Sequence, residues 1–377
     1  MFDGLSGSPL LAALPRRRFL QAAGALGGTV ALTGCAPSVA PASPADGAVP
    51  ADAVELTGDT EGYNTTLLLL GTGGGPTAHP GRTGVSSAVT VGGRPYLVDA
   101  GSSAYRRMAQ AGIGAKSLGG VFVTHMHSDH LADLFTIFLL NVGNYMAGAP
   151  ETPTPIFGPG HIAGAPHAEV SGMQGMLQGV LAAWAHEIDV RNAEAAKPVD
   201  YQKVVVGRDV VIPDSVRMSA DNPAPDMDPF PVFEDDRVRV TGILVPHGAA
   251  LPGFAYRFDT DNGSVTFSGD TARSSNVARL ATGTDILVHE AIDIDYYKRN
   301  GFPEDVLEHH RQTHTSPDDV GRVATEAGAK KVVLNHLAPG DPRLVTDDEW
   351  VSRVSSTYAG PVVAGRDLTA HGVGPHS

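Results

Sequence analysis

Residues 125–130, His-Met-His-Ser-Asp-His, put four potential metal-binding side chains within six positions: His125, His127, Asp129 and His130. Imidazole nitrogens beside a carboxylate oxygen suit zinc, iron or manganese, and the motif offers no thiolate. His125 and His127 are two apart, so in extended backbone they point the same way. Asp129 and His130 stand where the chain turns into a helical pattern, Leu131-Ala132-Asp133-Leu134-Phe135, and can be aimed at a second point. One short loop can therefore serve two neighbouring metals. A polar surface loop can also carry histidines, but four donors directly after the apolar run Val121-Phe122-Val123-Thr124 are more than such a loop requires.

Three more candidates are scattered along the chain: His247 in Pro-His-Gly, Asp270 in Ser-Gly-Asp-Thr and His336 in Leu-Asn-His. Singly they read as a turn histidine, a loop-capping aspartate and a core histidine. Together they share one placement, at the C-terminal end of a predicted strand, where an open α/β sheet gathers its sites. The strands are Arg237–Val245, Ser264–Ser268 and Lys331–Leu334, with 120–124 feeding the first motif.

The other elements that must position these residues are also visible. A buried strand, Thr66–Leu70, enters Gly71-Thr72-Gly73-Gly74-Gly75-Pro76, which lacks the Gly-Lys-Ser/Thr ending of a phosphate loop and reads as a tight turn near the site. Ser86–Val91 and Pro95–Asp99 form a hairpin over Gly92-Gly93. Gly253–Asp259 and Ser264–Ser268 form another over Asp261-Asn262-Gly263. Residues 104–111 are predicted helical, and Asp285–Val288 is a strand leading into His289-Glu290-Ala291. Ser316-Pro317-Asp318-Asp319 opens a helix running to Ala327, with serine as N-cap and proline at the first helical position. From Asn141 to about Phe233 the pattern breaks down. One amphipathic helix is predicted there, Gly172 to about Val190, with Met173, Met176, Leu177, Val180, Leu181 and Trp184 on one face. This stretch, 141–233, reads as an insertion able to cap the site and select the substrate.

The N-terminus reads as a targeting segment, outside the fold. Arg16-Arg17-Arg18-Phe19-Leu20-Gln21 fits a twin-arginine signal, and the uncharged run Ala22–Gly34 is too short for a spanning helix, which needs about 20 apolar residues. Leu32-Thr33-Gly34-Cys35 resembles a lipoprotein box, which makes Cys35 the lipidated first residue of the mature chain. Residues 36–55, rich in Pro and Ala, read as a flexible linker, and 56–377 as the catalytic domain. Cys35 is the chain's single cysteine, so no intramolecular disulfide is available. The formal net charge of −14 opposes non-specific nucleic-acid binding.

The succession of motifs resembles the metallo-β-lactamase fold superfamily, in the branch that holds ribonuclease Z and related phosphodiesterases and arylsulfatases. The shared pieces are Leu-Gly-Thr-Gly-Gly-Gly (70–75), Thr-His-Met-His-Ser-Asp-His (124–130), Pro-His-Gly (246–248), Ser-Gly-Asp-Thr (268–271), His-Glu-Ala (289–291), His-Thr-Ser (314–316) and Leu-Asn-His (334–336). The resemblance implies an αββα sandwich with a dinuclear site. By it, His125, His127 and His247 hold one divalent metal, Asp129, His130 and His336 the other, and Asp270 bridges both. Zinc is the expected metal, with manganese or iron as alternatives. Such a pair holds a hydroxide between the ions, oriented by Asp129, and stabilises the attacking and departing oxygens.

His314 is the candidate general acid and Glu290 the carboxylate that fixes its tautomer, while His309 and His310 read as solvent-facing. By the same resemblance, a bridging carboxylate at Asp270 favours phosphodiesters or a related ester (sulfate ester, lactone) over β-lactams, whose branch generally lacks one there. Two features oppose tRNA as substrate: the export signal, and only 22 residues between His247 and Asp270, too few for a long RNA-binding arm. The expected partners are an ester substrate and, through the lipid, the cell envelope on its periplasmic or extracellular face; a homodimer is compatible with the family. The competing readings are an iron-dependent oxidoreductase on the same fold, which would not need His130 and His336, and a non-catalytic ligand-binding lipoprotein, which would not need the full ligand set.

Overall fold

The computed structural model describes residues 56–141, 145, 150–161, 172–195, 197–219 and 221–376. Arg16-Arg17, Cys35 and the linker expected at 36–55 lie outside the described residues. Among those described, no helix is long and apolar enough to cross a membrane.

The strands in chain order are β1 (Thr57–Asp59), β2 (Thr65–Gly71), β3 (Ser86–Val91), β4 (Arg94–Val98), β5 (Gly120–Phe122), β6 (Thr154–Gly158), β7 (Val205–Asp209), β8 (Phe230–Glu234), β9 (Arg239–Val245), β10 (Gly253–Thr260), β11 (Gly263–Phe267), β12 (Ile286–Ile292), β13 (Val332–Ala338), β14 (Val362–Ala364) and β15 (Thr369–Gly372). They form two sheets, ordered β1-β15-β2-β3-β4-β5-β6-β7 and β14-β13-β12-β11-β10-β9-β8.

The unbroken apolar run in β2 follows from this layering. Leu67 and Leu69 join the core between the sheets, while Leu68 and Leu70 join a second core under the outer helices. β4 and β5 alternate in the same way: Tyr96, Val98 and Phe122 face inward and Leu97 and Val121 outward. A strand buried on both faces has no polar side to show. The outer helices on the first sheet include Ala104–Gln110 and Leu134–Leu139. Those on the second include Ser275–Leu280, Pro317–Ala327 and Asp347–Ser355. The architecture is an αββα sandwich.

Several elements differ from the sequence reading. The stretch 141–233 is not a separate insertion. It supplies β6 and β7, which extend the first sheet by parallel pairing, and β8, which edges the second. These strands are short and interrupted by Pro155, Gly158 and Pro231, so they lack the period that marks a strand. The helix expected over Gly172–Val190 is two helices, Met173–Ala183 and Ala185–Glu194. The break is at Trp184, which is 47% exposed, so the predicted apolar face ends before it. β12 and β13 both run further than predicted, carrying His289-Glu290 and Asn335-His336 inside the sheet. Ser316 caps its helix as predicted, accepting a hydrogen bond from the Asp319 amide.

Candidate metal centre

The first histidine motif leaves β5 extended and turns into the short helix Ser128–Leu131. Asp99, at the end of β4, braces the turn. One carboxylate oxygen accepts from the Thr124 amide at 2.8 Å; the other accepts from the Thr124 hydroxyl at 2.9 Å and from His130 Nδ1 at 2.9 Å. Asp99 adopts φ 55°, an uncommon conformation for a non-glycine residue and one that tends to persist at functional sites. In the sequence Asp99 is simply the end of a predicted strand. Nothing there distinguishes it, because its role depends on a turn 25 residues away.

His336 is placed by a bulge. β12 and β13 pair Glu290 with Asn335 and then Ala291 with Leu337, so His336 is the extra residue, at φ 42°. A bulge re-aims one side chain out of a sheet's alternation. The glycine loop packs directly on it: a Cβ at Gly74 would lie 2.7 Å from His336 Nδ1. That explains the glycine there. The loop is itself clasped by Asp367, which accepts from the amides and hydroxyls of Thr72 and Thr83 at 2.8–3.0 Å and from Arg107 at 3.0 Å.

All seven predicted ligands converge. Donor atoms of His125, His127 and His247 lie within 4.8 Å of one another, as do those of His125, His130 and Asp270, and those of Asp129, His130 and His336. One oxygen of Asp270, Oδ2, faces His336 Nε2 at 3.2 Å, His130 Nε2 at 3.3 Å, His247 Nε2 at 3.9 Å and His125 Nε2 at 4.0 Å. Asp129 Oδ2 lies 3.4 Å from His336 Nε2 and 3.7 Å from His130 Nε2.

The donor chemistry fits metal ions. His247 Nδ1 must donate to the Thr313 carbonyl at 2.7 Å, and His130 Nδ1 to Asp99, so in the neutral rings both Nε2 atoms carry lone pairs aimed into the cluster. His247 Nε2 and His125 Nε2 stand 3.1 and 2.9 Å from the same atom, His127 Nδ1. Buried His130 Nε2 and Asp270 Oδ1 have no hydrogen-bond partner. Inward-facing lone pairs at these separations call for cations.

The electrostatics agree for His125, His247, Asp129 and Asp270; at His130, against the burial that would lower it, Asp270 and Asp99 hold the imidazole well above its ordinary range, and a metal ion would have to displace that proton. Burial, reinforced by His130, holds His125 well below the ordinary imidazole range, and burial takes His247 to about 4, so both stay neutral and able to ligate. Burial would raise the two carboxylates, but His336 and His130 overcome it. Asp129 is lowered to about 2 and Asp270 held well below its usual range.

His314 and Glu290 complete the cluster. His314 is the C-cap of the helix Glu304–Thr313, and its side chain is only 15% exposed. Its Nδ1 lies 3.0 Å from Glu290 Oε1, which also accepts from the Thr271 amide at 3.0 Å. Burial works against a charge on either partner. Two donors on one oxygen favour the carboxylate, and against the desolvation that would lower it His314 is raised to about 9 by Glu290 and Asp270.

A family model described as Anti-Pycsar protein Apyc1 matches residues 65–145. The ribonuclease Z of Mycobacterium bovis is 28% identical over 311 residues, covering 80% of this chain and 96% of that protein. The Mycobacterium avium ribonuclease Z is 29% identical over 304 residues with the same coverage. Among solved structures, the short form of human tRNase Z superposes with a TM-score of 0.56 at 17% identity, covering 81% of this chain and 98% of that one. The metallo-β-lactamase fold protein YhfI of Bacillus subtilis gives 0.54 at 18% identity, with the same coverage.

The chain has the metallo-β-lactamase fold, and ribonuclease Z proteins are among the relatives it resembles.

The cleft over the cluster has a volume of about 350 Å³. Its walls are the loop Gly74–His79 on one side and Tyr297, His309, His310 and His314 on the other. Among the described residues, none of its lining comes from 141–233, the stretch expected to select the substrate. His309 and His310, read as solvent-facing, are on the helix Glu304–Thr313 and line the cleft. Their helical spacing before His314 is the available signal: His310 and His314 are four apart, hence on one face. Burial, with His314 and His309 adjacent, lowers His310 to about 4.

Proposed function

We propose that the protein is an exported hydrolase using two divalent metal ions, most readily zinc, to cleave small phosphodiesters or a related ester such as a sulfate ester. The observation that carries this reading is the single Asp270 oxygen facing four ligand histidines from both halves of the cluster at 3.2–4.0 Å. His125, His127 and His247 would hold one ion, Asp129, His130 and His336 the other, with Asp270 shared. Two such ions supply an activated water and neutralise charge on the ester oxygens. The chain's own residues do the rest. Asp129 accepts a hydrogen bond from the attacking water. His314, charged and fixed through Nδ1 by Glu290, presents Nε2 to the leaving oxygen and gives it a proton.

A small ester is favoured over tRNA because the described residues lining the cleft include no lysine or arginine to track a polyanion. The test is a panel of chromogenic esters (phosphodiester, phosphomonoester, sulfate, lactone) offered to protein with measured metal content. The expected result is two ions per chain, phosphodiester turnover above the others, and loss on chelation that added metal restores. Activity surviving complete metal removal, or fewer than two ions in fully loaded protein, would overturn the reading.

Export rests on Arg16-Arg17 and on Cys35 as a lipidation site. Cys35→Ala is expected to move the protein from the membrane fraction to the soluble one. A wild-type protein already soluble would refute the anchor.

A further inference from the structure

The side of the cleft that carries His314 continues into a wall of rings. His310 stands one helical turn before His314, the two ring centroids 6.2 Å apart. Tyr297 follows, its ring 5.0 Å from His310. Phe302 packs edge-on against Tyr297 at 5.0 Å and is 43% exposed. A tight turn holds the wall together: the helix Ile294–Arg299 ends at Gly301, where the Phe302 amide donates to the Tyr297 carbonyl and returns the phenyl ring to the tyrosine. Apart from the metal-binding side chains, much of the remaining lining is apolar or uncharged, with Pro76, Ile292 and Ala338 among it.

The wall's position gives it a role in the reaction proposed above, on which this inference rests. A general acid touches the leaving oxygen, so whatever is bonded to that oxygen extends along the surface next to the acid. Here that surface is His310 and Tyr297, with Phe302 packed edge-on against Tyr297. Stacked and edge-on rings prefer another flat ring to an alkyl group of equal bulk, because the negative face of one meets the positive edge of the next. We infer that Tyr297 and His310 form a leaving-group subsite for a flat aromatic ring, so that the preferred substrates are esters of aromatic alcohols or of nucleosides. The two sources differ in reach. A phenyl ester places its ring beside His310, whereas a nucleoside ester carries its base past the sugar towards Tyr297 and Phe302.

Binding of unreactive phosphonates to the metal-loaded protein tests this without requiring turnover. The probes are the phenyl, cyclohexyl, methyl and uridine monoesters of methylphosphonic acid, titrated by calorimetry into wild type, Tyr297→Leu and His310→Ala. In wild type a ring-bearing ester should bind about tenfold more tightly than the cyclohexyl or methyl ester, the scale expected of one aromatic contact. In the variants that ratio should fall towards one with metal content unchanged. A tighter phenyl ester, with the larger loss in His310→Ala, identifies simple aryl esters. A tighter uridine ester, with the larger loss in Tyr297→Leu, identifies nucleosides. Equal binding of phenyl and cyclohexyl esters by wild type, or a ring preference that persists in both variants, overturns the subsite. A ring preference in a protein that hydrolyses no ester would count against the hydrolase reading and not against the subsite.

Discussion

Asp270→Asn is expected to lower kcat/KM by at least about a thousandfold, roughly 4 kcal/mol of transition-state stabilisation, and to lose bound metal as well. The substitution keeps the shape of the side chain, so the loss isolates the charge. Asp270 is buried, and its Oδ2 stands 3.2–4.0 Å from His336, His130, His247 and His125, with His314 Nδ1 also at 4.0 Å. Asp129 is the other carboxylate among the seven ligands and reaches only one half of the cluster, through His130 and His336. An amide supplies one neutral oxygen where a carboxylate supplies two sharing a negative charge, so cations on both sides lose their common counter-ion. Removing one member of a buried charged set typically costs about 3–5 kcal/mol because the remainder stays uncompensated. Metal content by elemental analysis, paired with circular dichroism to show a retained fold, separates loss of metal from unfolding. An Asp270→Asn variant that keeps the wild-type metal content and more than a tenth of its turnover would sink the bridging role.

What is legible in the sequence divides along a physical line. Ligands that sit where a strand gives way to a loop leave a local trace, because each needs a short motif around it: His125 to His130 after β5, His247 after β9, Asp270 after β11. The inner strands are legible from their apolar runs, and the helix after Ser316 from its cap. The bulge that turns His336 towards the ligand cluster leaves no local signature, since it depends on where Ala291 pairs in the neighbouring strand. Asp99 is invisible for a similar reason: its partners Thr124 and His130 are brought to it only by the fold. The cleft wall is misplaced for a different reason. The stretch 141–233 looks like the variable part because β6, β7 and β8 are short and broken by proline and glycine. The helix bearing His309 and His310 looks like an ordinary charged surface helix, its exposed face held by Glu304, Glu308 and Arg311. A polar helix can carry its chemistry on the other face, and four-residue spacing to His314 is the one clue to it.

That spacing leads to the second large effect. His314→Ala is expected to lower turnover of alkyl phosphodiesters by roughly a hundred- to ten-thousandfold, the usual contribution of a general acid, and to cost far less on a p-nitrophenyl ester. A nitrophenolate departs without a proton, whereas an alkoxide needs one. The two substrates meet the same ligands, so a residue acting only through the metals or the fold would slow both equally. The pH dependence adds a second reading. His314 works in its protonated form, and with its pKa raised to about 9 that form predominates below about 9 and is lost above it. The alkaline fall in kcat for alkyl esters therefore belongs near pH 9. Glu290 is the larger of the two carboxylate contributions that raise it, ahead of Asp270, through the 3.0 Å contact to Nδ1. In Glu290→Gln the pKa of His314 should drop, and the alkaline limb should move towards neutral pH while the p-nitrophenyl ester shows little change. Steady-state profiles of wild type and both variants with the two leaving groups decide it. Equal losses on both esters, or a limb that stays put in Glu290→Gln, would remove His314 as the acid and leave Glu290 with a structural role through the Thr271 amide.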